Sequence, residues 1–254
     1  MTQNLTPLFH FLSANRQYNQ DLQLKFYKAT LLPYETKPEK ILALLYNTAN
    51  TQSQPDIDKL GIFFMALHQH KACLSTMGDF IKHFDHTKPL SFRSLYQVLE
   101  NQDGWGPKTA ALFVKNIYWL HNKGYGSKFK IWPDVPKKVA KEDELYLPVD
   151  AVITAIFKKM DSEGSWNFKS INRLIKENFK GDEIEVWDDL WFWGFFNQMV
   201  VNRERILSWN ENKYWAVKET DKDAGVINEI KKISAESRKL VNKSRLNSTI
   251  KPKS

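Results

Sequence analysis

Along most of this chain apolar residues recur at steps of three and four, the period of a helix with one buried face. Proline, glycine and small polar residues punctuate the pattern. The period predicts helices over about 5–14, 17–31, 38–50, 56–71, 75–84, 91–101, 108–122, 149–160, 168–178 and 186–207. In the fourth of these, Ile57, Leu60, Gly61, Phe64, Leu67 and His68 fall on one predicted face. No run of strictly alternating apolar and polar residues stands out, so the expected class is all-α.

Two stretches break the pattern. Residues 123–147 open with the basic run Lys123-Gly124-Tyr125-Gly126-Ser127-Lys128-Phe129-Lys130, and Pro133 and Pro136 then bar a helix. The expectation is a flexible inserted loop that either touches a polyanion or is simply solvated. The second stretch, 218–254, carries ten lysines and arginines against five acidic residues, a net +5 of the whole chain's +8. Within it, Ile227 to Leu246 reads as a basic amphipathic helix, with Ile227, Ile230, Ile233 and Leu240 on one side. That helix either lies along a polyanion or is a solvated end. The expected division is a core over 1–217, with its hairpin at about 92–120, and a basic tail over 218–254.

Composition narrows the choices. In a chain of 254 residues, 42% hydrophobic residues can fill one large core or those of two small lobes. The 9 tryptophans and 16 phenylalanines serve either as core or as platforms for flat ligands. A net charge of +8 favours a polyanionic partner, although basic proteins without one are common. The lone Cys73 rules out an internal disulfide, a four-cysteine zinc site and an iron–sulfur cluster held within the chain; it reads as a small buried residue. The start, Met1-Thr2-Gln3-Asn4-Leu5, lacks a basic region followed by an apolar one, and no apolar run is long enough to span a bilayer. An intracellular location, no membrane partner and a monomer are the expectations. His68 and His70 would face apart on a helix, and His83 and His86 form only a pair, so no metal site is expected.

The strongest chemical signal is Gly104-Trp105-Gly106-Pro107-Lys108-Thr109-Ala110. It joins an apolar helix bearing Leu95, Val98 and Leu99 to a second one bearing Ala110, Ala111 and Val114. Glycines allow the backbone to approach a phosphate, and Pro107 suits a first helical turn. The N–H groups that begin that helix can bind a phosphate oxygen. Lys108 at its edge suits either phosphate binding or nucleophilic attack. Asp150, in Pro148-Val149-Asp150-Ala151-Val152, suits either a helix cap or a catalytic carboxylate.

The segment resembles a helix-hairpin-helix motif. With Asp150 added, it is similar to the helix-hairpin-helix DNA glycosylases, the superfamily of endonuclease III and 8-oxoguanine glycosylase, over roughly Leu95 to Met160. The Gly-Pro-Lys-Thr-Ala hairpin, the wide spacing of 42 residues between Lys108 and Asp150, and the acidic–aromatic stretch Glu185-Val186-Trp187-Asp188-Asp189-Leu190-Trp191 look closest to the clusterless archaeal 8-oxoguanine glycosylases. The chain departs from the family in having Ala151-Val152 where Thr-His is common, and in lacking the cluster cysteines of endonuclease III.

The resemblance implies two helical lobes with the active site between them, and a partner in double-stranded DNA containing a damaged base. The activity it implies is excision of an oxidised purine such as 8-oxoguanine, followed by strand nicking through β-elimination. Lys108 would be the nucleophile and Asp150 the catalytic carboxylate. Gly104, Trp105, Gly106, Lys108 and Thr109 would hold the DNA backbone. No cofactor is implied beyond a loosely held monovalent cation at the Gly104–Gly106 turn. The base pocket would draw on Trp191, Phe195, Asp188 and Gln198, or Asn197, although each has an ordinary structural reading as core or helix end. Asn47, Asn50 or Gln52, after the apolar helix Ile41–Leu45, would enter the gap left by a flipped base, or simply end that helix. Alternatives are a glycosylase for another damaged base, a non-catalytic structure-specific DNA-binding protein, and a module whose basic tail binds another acidic partner.

Overall fold

The computed structural model describes residues 5–213 and 224–243. The protein is mostly helical, with one two-stranded hairpin among the described residues. The chain forms two compact units, one of residues 23–148 and the other of residues 1–22 with 149–254. Among the described residues no helix is long and apolar enough to cross a membrane.

In the 23–148 unit lie the end of α2 (Arg16–Leu31), α3 (Lys37–Ala49), α4 (Ile57–Gln69), α5 (Met77–Phe84), α6 (Phe92–Glu100) and α7 (Pro107–Asn122). Local signals start several of these helices. Thr36 and Glu39 form a capping box on α3, and the Ser91 hydroxyl accepts from Ser94 N–H to start α6. α7 is buried on nearly all sides, from Thr109 to Leu120. Two of its buried polar residues have distant partners: Lys115 Nζ reaches Gln23 Oε1 at 3.2 Å, and Asn116 Oδ1 accepts from Tyr27 OH at 3.0 Å. On α4 the buried face is Leu60, Phe63 and Leu67, whereas Ile57, Gly61 and His68 are exposed. The expected face was therefore misplaced: Phe63, stacked on Phe84 and close to Trp105, faces inward where Phe64 was expected.

Residues 123–147 are not a loose loop. Their only regular element is a short 3-10 turn at Ser127–Phe129, yet Phe129, Ile131, Trp132, Leu145 and Leu147 are buried. Each such apolar side chain contributes about 1.5–3 kcal/mol when buried, enough to hold an irregular segment in place. Two aspartates fasten it further. Asp134 accepts from the N–H groups of Met77 and Gly78, both at 2.8 Å, at the start of α5. Asp143 accepts from those of Phe92 at 2.9 Å and Arg93 at 2.8 Å, at the start of α6. The segment is a strap that caps two helices, using N–H groups that otherwise lack intrahelical partners.

The other unit contains α1 (Thr6–Ala14), the start of α2, α8 (Ala151–Met160), α9 (Phe168–Asn178), a 3-10 stretch (Gly181–Asp188), α10 (Asp189–Phe196), β1 (Gln198–Val201), β2 (Glu204–Leu207) and α11 (Ala224–Lys243). The single helix expected over 186–207 is thus replaced by a 3-10 end, two turns of α-helix and an antiparallel hairpin. The hairpin turns at Asn202 and Arg203, whose φ values of 50° and 67° supply the left-handed backbone that a two-residue hairpin turn requires.

Arg16 anchors this unit. Its guanidinium donates to both Glu185 oxygens, at 2.6 and 2.5 Å, and to Asp189 Oδ2 at 2.9 Å. Asn19 donates to Asp189 Oδ1 at 2.5 Å. Burial pushes the Asp189 carboxyl up to about 7, against the opposing charge of Arg16. α11 packs against α1 and α8, burying Ile227, Ile230 and Val241. Ile227 and Ile230 of the expected apolar side are thus part of this unit's core, and the helix is not a solvated end. Residues 244–246 of the expected helix, like the rest of the tail outside 224–243, lie beyond the described residues.

Candidate active site

The hairpin forms where the glycines predict it. α6 ends at Glu100, Gly104 takes φ +81°, and Gly106 precedes α7 in an extended conformation. Gly104 is required twice over. Its φ favours glycine, and an added Cβ would lie 3.0 Å from the backbone nitrogen of Leu60. Pro107 occupies the first helical turn, and Gly106 offers no side-chain cap. This is the open helix start that suits an anion.

Lys108 stands in that first turn, half-buried. Its Nζ lies 3.1 Å from Thr51 Oγ1 and 3.4 Å from Thr51 O. The next residue, Gln52, donates its amide to Gly104 O at 3.0 Å. The turn after α3 therefore grips both the hairpin and its lysine. Of the three residues expected to enter a gap in the DNA, Gln52 is thus committed to the hairpin. Asn47 bonds back to Ala43 O at 2.8 Å, and Asn50 lies exposed at the end of α3.

The side chains of Trp105 and Thr109 are both buried. The Trp105 ring lies beside Phe63 and Phe113, and its backbone N–H already donates to Gln102 O at 3.1 Å. Neither side chain is presented for a phosphate, so these residues shape the hairpin from within. A monovalent cation at the turn would have to share the carbonyls of Gln102 and Gly104, since both already accept hydrogen bonds within the protein.

Asp150 heads α8. Its Oδ1 accepts from Val152 N and Ile153 N, both at 2.9 Å. A carboxylate fixed at a helix start is favoured in its charged form by the helix dipole. Nearby, Trp191 and Phe195 stack with centroids 5.0 Å apart and both keep part of their surface exposed, as a base platform would. The other two pocket candidates do not present themselves in this way. Gln198 is fully buried, its amide donating to Val152 O at 2.9 Å and its carbonyl accepting from Arg205 at 3.4 Å. Asp188 is buried at the end of the 3-10 stretch. Asn197 is buried also, and its carbonyl accepts from Arg238 of α11.

Sequence reasoning passed over Lys213 and Arg205. Nothing in Glu211-Asn212-Lys213 separates this lysine from an ordinary surface one. Its Nζ lies 4.6 Å from the centre of the Phe195 ring. Burial and the Arg205 charge lower its pKa, opposed by the charge of Asp150. The rings of His70 and His83 lie 5.1 Å apart, but among the described residues no group of three or more metal-ligating side chains gathers. Cys73 is buried, and burial raises its thiol pKa, as for an inert core cysteine.

No family model, curated protein or solved structure matches the chain.

Proposed function

We propose that this protein is a DNA glycosylase with β-lyase activity that removes an oxidised purine, with 8-oxoguanine the first substrate to test. The observation that carries the reading is the placement of Lys108. It occupies the first turn of α7, immediately after a hairpin whose Gly104 has positive φ, and a threonine hydroxyl holds its amine. Asp150, a fixed carboxylate at the head of α8, supplies the second group the chemistry requires.

In this reading the damaged nucleotide is flipped out of the duplex, with Lys108 as the nucleophile and Asp150 as the catalytic carboxylate. Asp150 stabilises positive charge as the bond to the base breaks. Lys108, having shed its proton, bonds to C1′ and displaces the base. Opening of the C1′–O4′ bond, with O4′ taking a proton, then gives a Schiff base, which allows loss of a C2′ proton and departure of the 3′ phosphate and so nicks the strand. The half-exposed Trp191–Phe195 stack offers a face for the extruded base. Net charge +8 supports a polyanionic partner.

The test is borohydride trapping on duplex DNA bearing 8-oxoguanine, with an undamaged duplex and the Lys108→Gln protein alongside. A damage-dependent adduct that Lys108→Gln strongly reduces supports the reading. Absence of an adduct with 8-oxoguanine and with an abasic site would remove the lyase. Salt-sensitive DNA binding without turnover would then favour the structure-specific binding protein.

A further inference from the structure

The Asp150 end of its unit carries a second amine. Lys213 lies just beyond the β-hairpin, in a turn where its N–H donates to Asn210 O at 3.2 Å. Its Nζ covers Phe195, which stacks on Trp191. Phe195 is adjacent to Gly194, the point where α10 presses on α8: a Cβ there would lie 2.7 Å from Val152 Cγ1 and 2.6 Å from Ile156 Cδ1. One turn on, Gln198 donates to Val152 O, while the N–H of the same Val152 donates to Asp150. The end of α10 and the capped start of α8 are thus locked together, and Lys213 covers the α10 ring next in sequence to that contact. Arg205, bonded to Gln198, brings a second cation to the same place.

Electrostatics agree with this placement. Burial and Arg205 push Lys213 below the usual lysine range, and Asp150 is close enough for its charge to pull the other way. A partly desolvated lysine beside another cation and a carboxylate is suited to bonding a carbonyl carbon.

We propose that Lys213 is a second imine-forming amine of the Asp150 site, acting on the ring-opened sugar of an abasic nucleotide. The inference rests on the glycosylase reading above. The Nζ lone pair adds to the C1′ aldehyde, the carbinolamine loses water, and an imine forms. Hydrolysis by water returns the amine and the aldehyde. No oxidant or reductant takes part, and borohydride supplies hydride only in the trapping assay. Lys108 remains the amine that displaces the damaged base.

The experiment is borohydride trapping on duplex DNA with an abasic site, followed by mass-spectrometric mapping of the modified lysine. The proteins are the wild type, Lys108→Gln, Lys108→Gln/Lys213→Gln and Lys108→Gln/Lys213→Arg. Lys213→Arg keeps the cation over Phe195 and removes the nucleophilic amine, so a loss there is not a loss of charge or fold. The expected result is a residual adduct in Lys108→Gln that maps to Lys213 and disappears in both double variants. A wild-type adduct that Lys108→Gln abolishes outright would overturn the inference and leave the glycosylase reading standing. A residual adduct that survives Lys213→Arg would overturn it too. No adduct with the wild type on either an abasic or an 8-oxoguanine duplex would overturn both.

Discussion

Gln52 donates its side-chain amide to the carbonyl of Gly104 at 3.0 Å, tying the turn after α3 to the hairpin that begins α7. One such bond contributes about 0.5–1.5 kcal/mol. Gln52→Ala is therefore expected to lower stability by about 1 kcal/mol and to weaken binding to undamaged duplex several-fold. Urea unfolding and fluorescence anisotropy measure the two effects. Unchanged DNA binding would mean that the hairpin holds its shape without Gln52.

Asp150 has a structural and a proposed chemical duty, and substitution can separate them. Asp150→Asn keeps an oxygen for the N–H groups of Val152 and Ile153, so it should change stability little. Asp150→Ala removes the cap and should cost about 1 kcal/mol. Both should lower single-turnover base excision by about 100-fold or more, the scale of losing one charge-stabilising group. Near-normal excision by Asp150→Asn would reduce Asp150 to a cap.

The hairpin and the start of α8 were legible in the sequence to within two residues. Their boundaries are set by residues with a local effect: Ser91 as a cap, Gly104 at positive φ, Gly106-Pro107 at a helix start and Asp150 as a cap. The stretch over 181–207 was not legible. Its run from Leu190 to Phe196 is apolar on every face, so a single helix could be extended through it and the change to strand went unmarked. The turn that divides it, Asn202-Arg203, adopts left-handed backbone without a glycine to announce it. In the 123–147 strap, conspicuous lysines obscured the buried Phe129, Ile131 and Trp132. Lys213 escaped notice because its distinction is its neighbours Phe195, Arg205 and Asp150, which the fold and no local motif bring to it.

The strap should prove a stabilising element. Asp143→Ala strips an acceptor from the N–H groups of Phe92 and Arg93 at the start of α6. A loss of about 1–2 kcal/mol is expected, as for losing a good helix cap. Arg93→Ala, which leaves those backbone bonds in place, should have a much smaller effect. Equal losses in the two variants would argue against the capping role.

His121 makes the same strap sensitive to acid. Its Nε2 accepts from Ile131 N at 3.2 Å, which requires the unprotonated ring. Burial, helped by the charge of Lys130, lowers its pKa to about 4. The unfolded ring titrates near 6.5, so between about 6.5 and 4 the unfolded chain binds more protons. Stability from this group is complete above about 6.5 and declines as pH falls to about 4, by at most about 1.4 kcal/mol per pH unit. Asp189, raised to about 7, acts in the opposite sense over much of this range. The informative quantity is thus the difference between wild type and His121→Gln, whose amide oxygen accepts without titrating. Denaturant midpoints at pH 4.5 and 7 should shift less in the variant, and parallel shifts would refute the assignment.

The helix at 224–243 carries a net +3 of the chain's +8, yet its Ile227, Ile230 and Val241 lie inside the unit that holds Asp150. Its Arg238 also donates to Asn197, one residue before β1. A protein shortened to residue 217 would consequently lose more than affinity for a polyanion. The bared faces of α1 and α8 would be sticky, and a poor yield of such a fragment would report on folding before it reported on DNA.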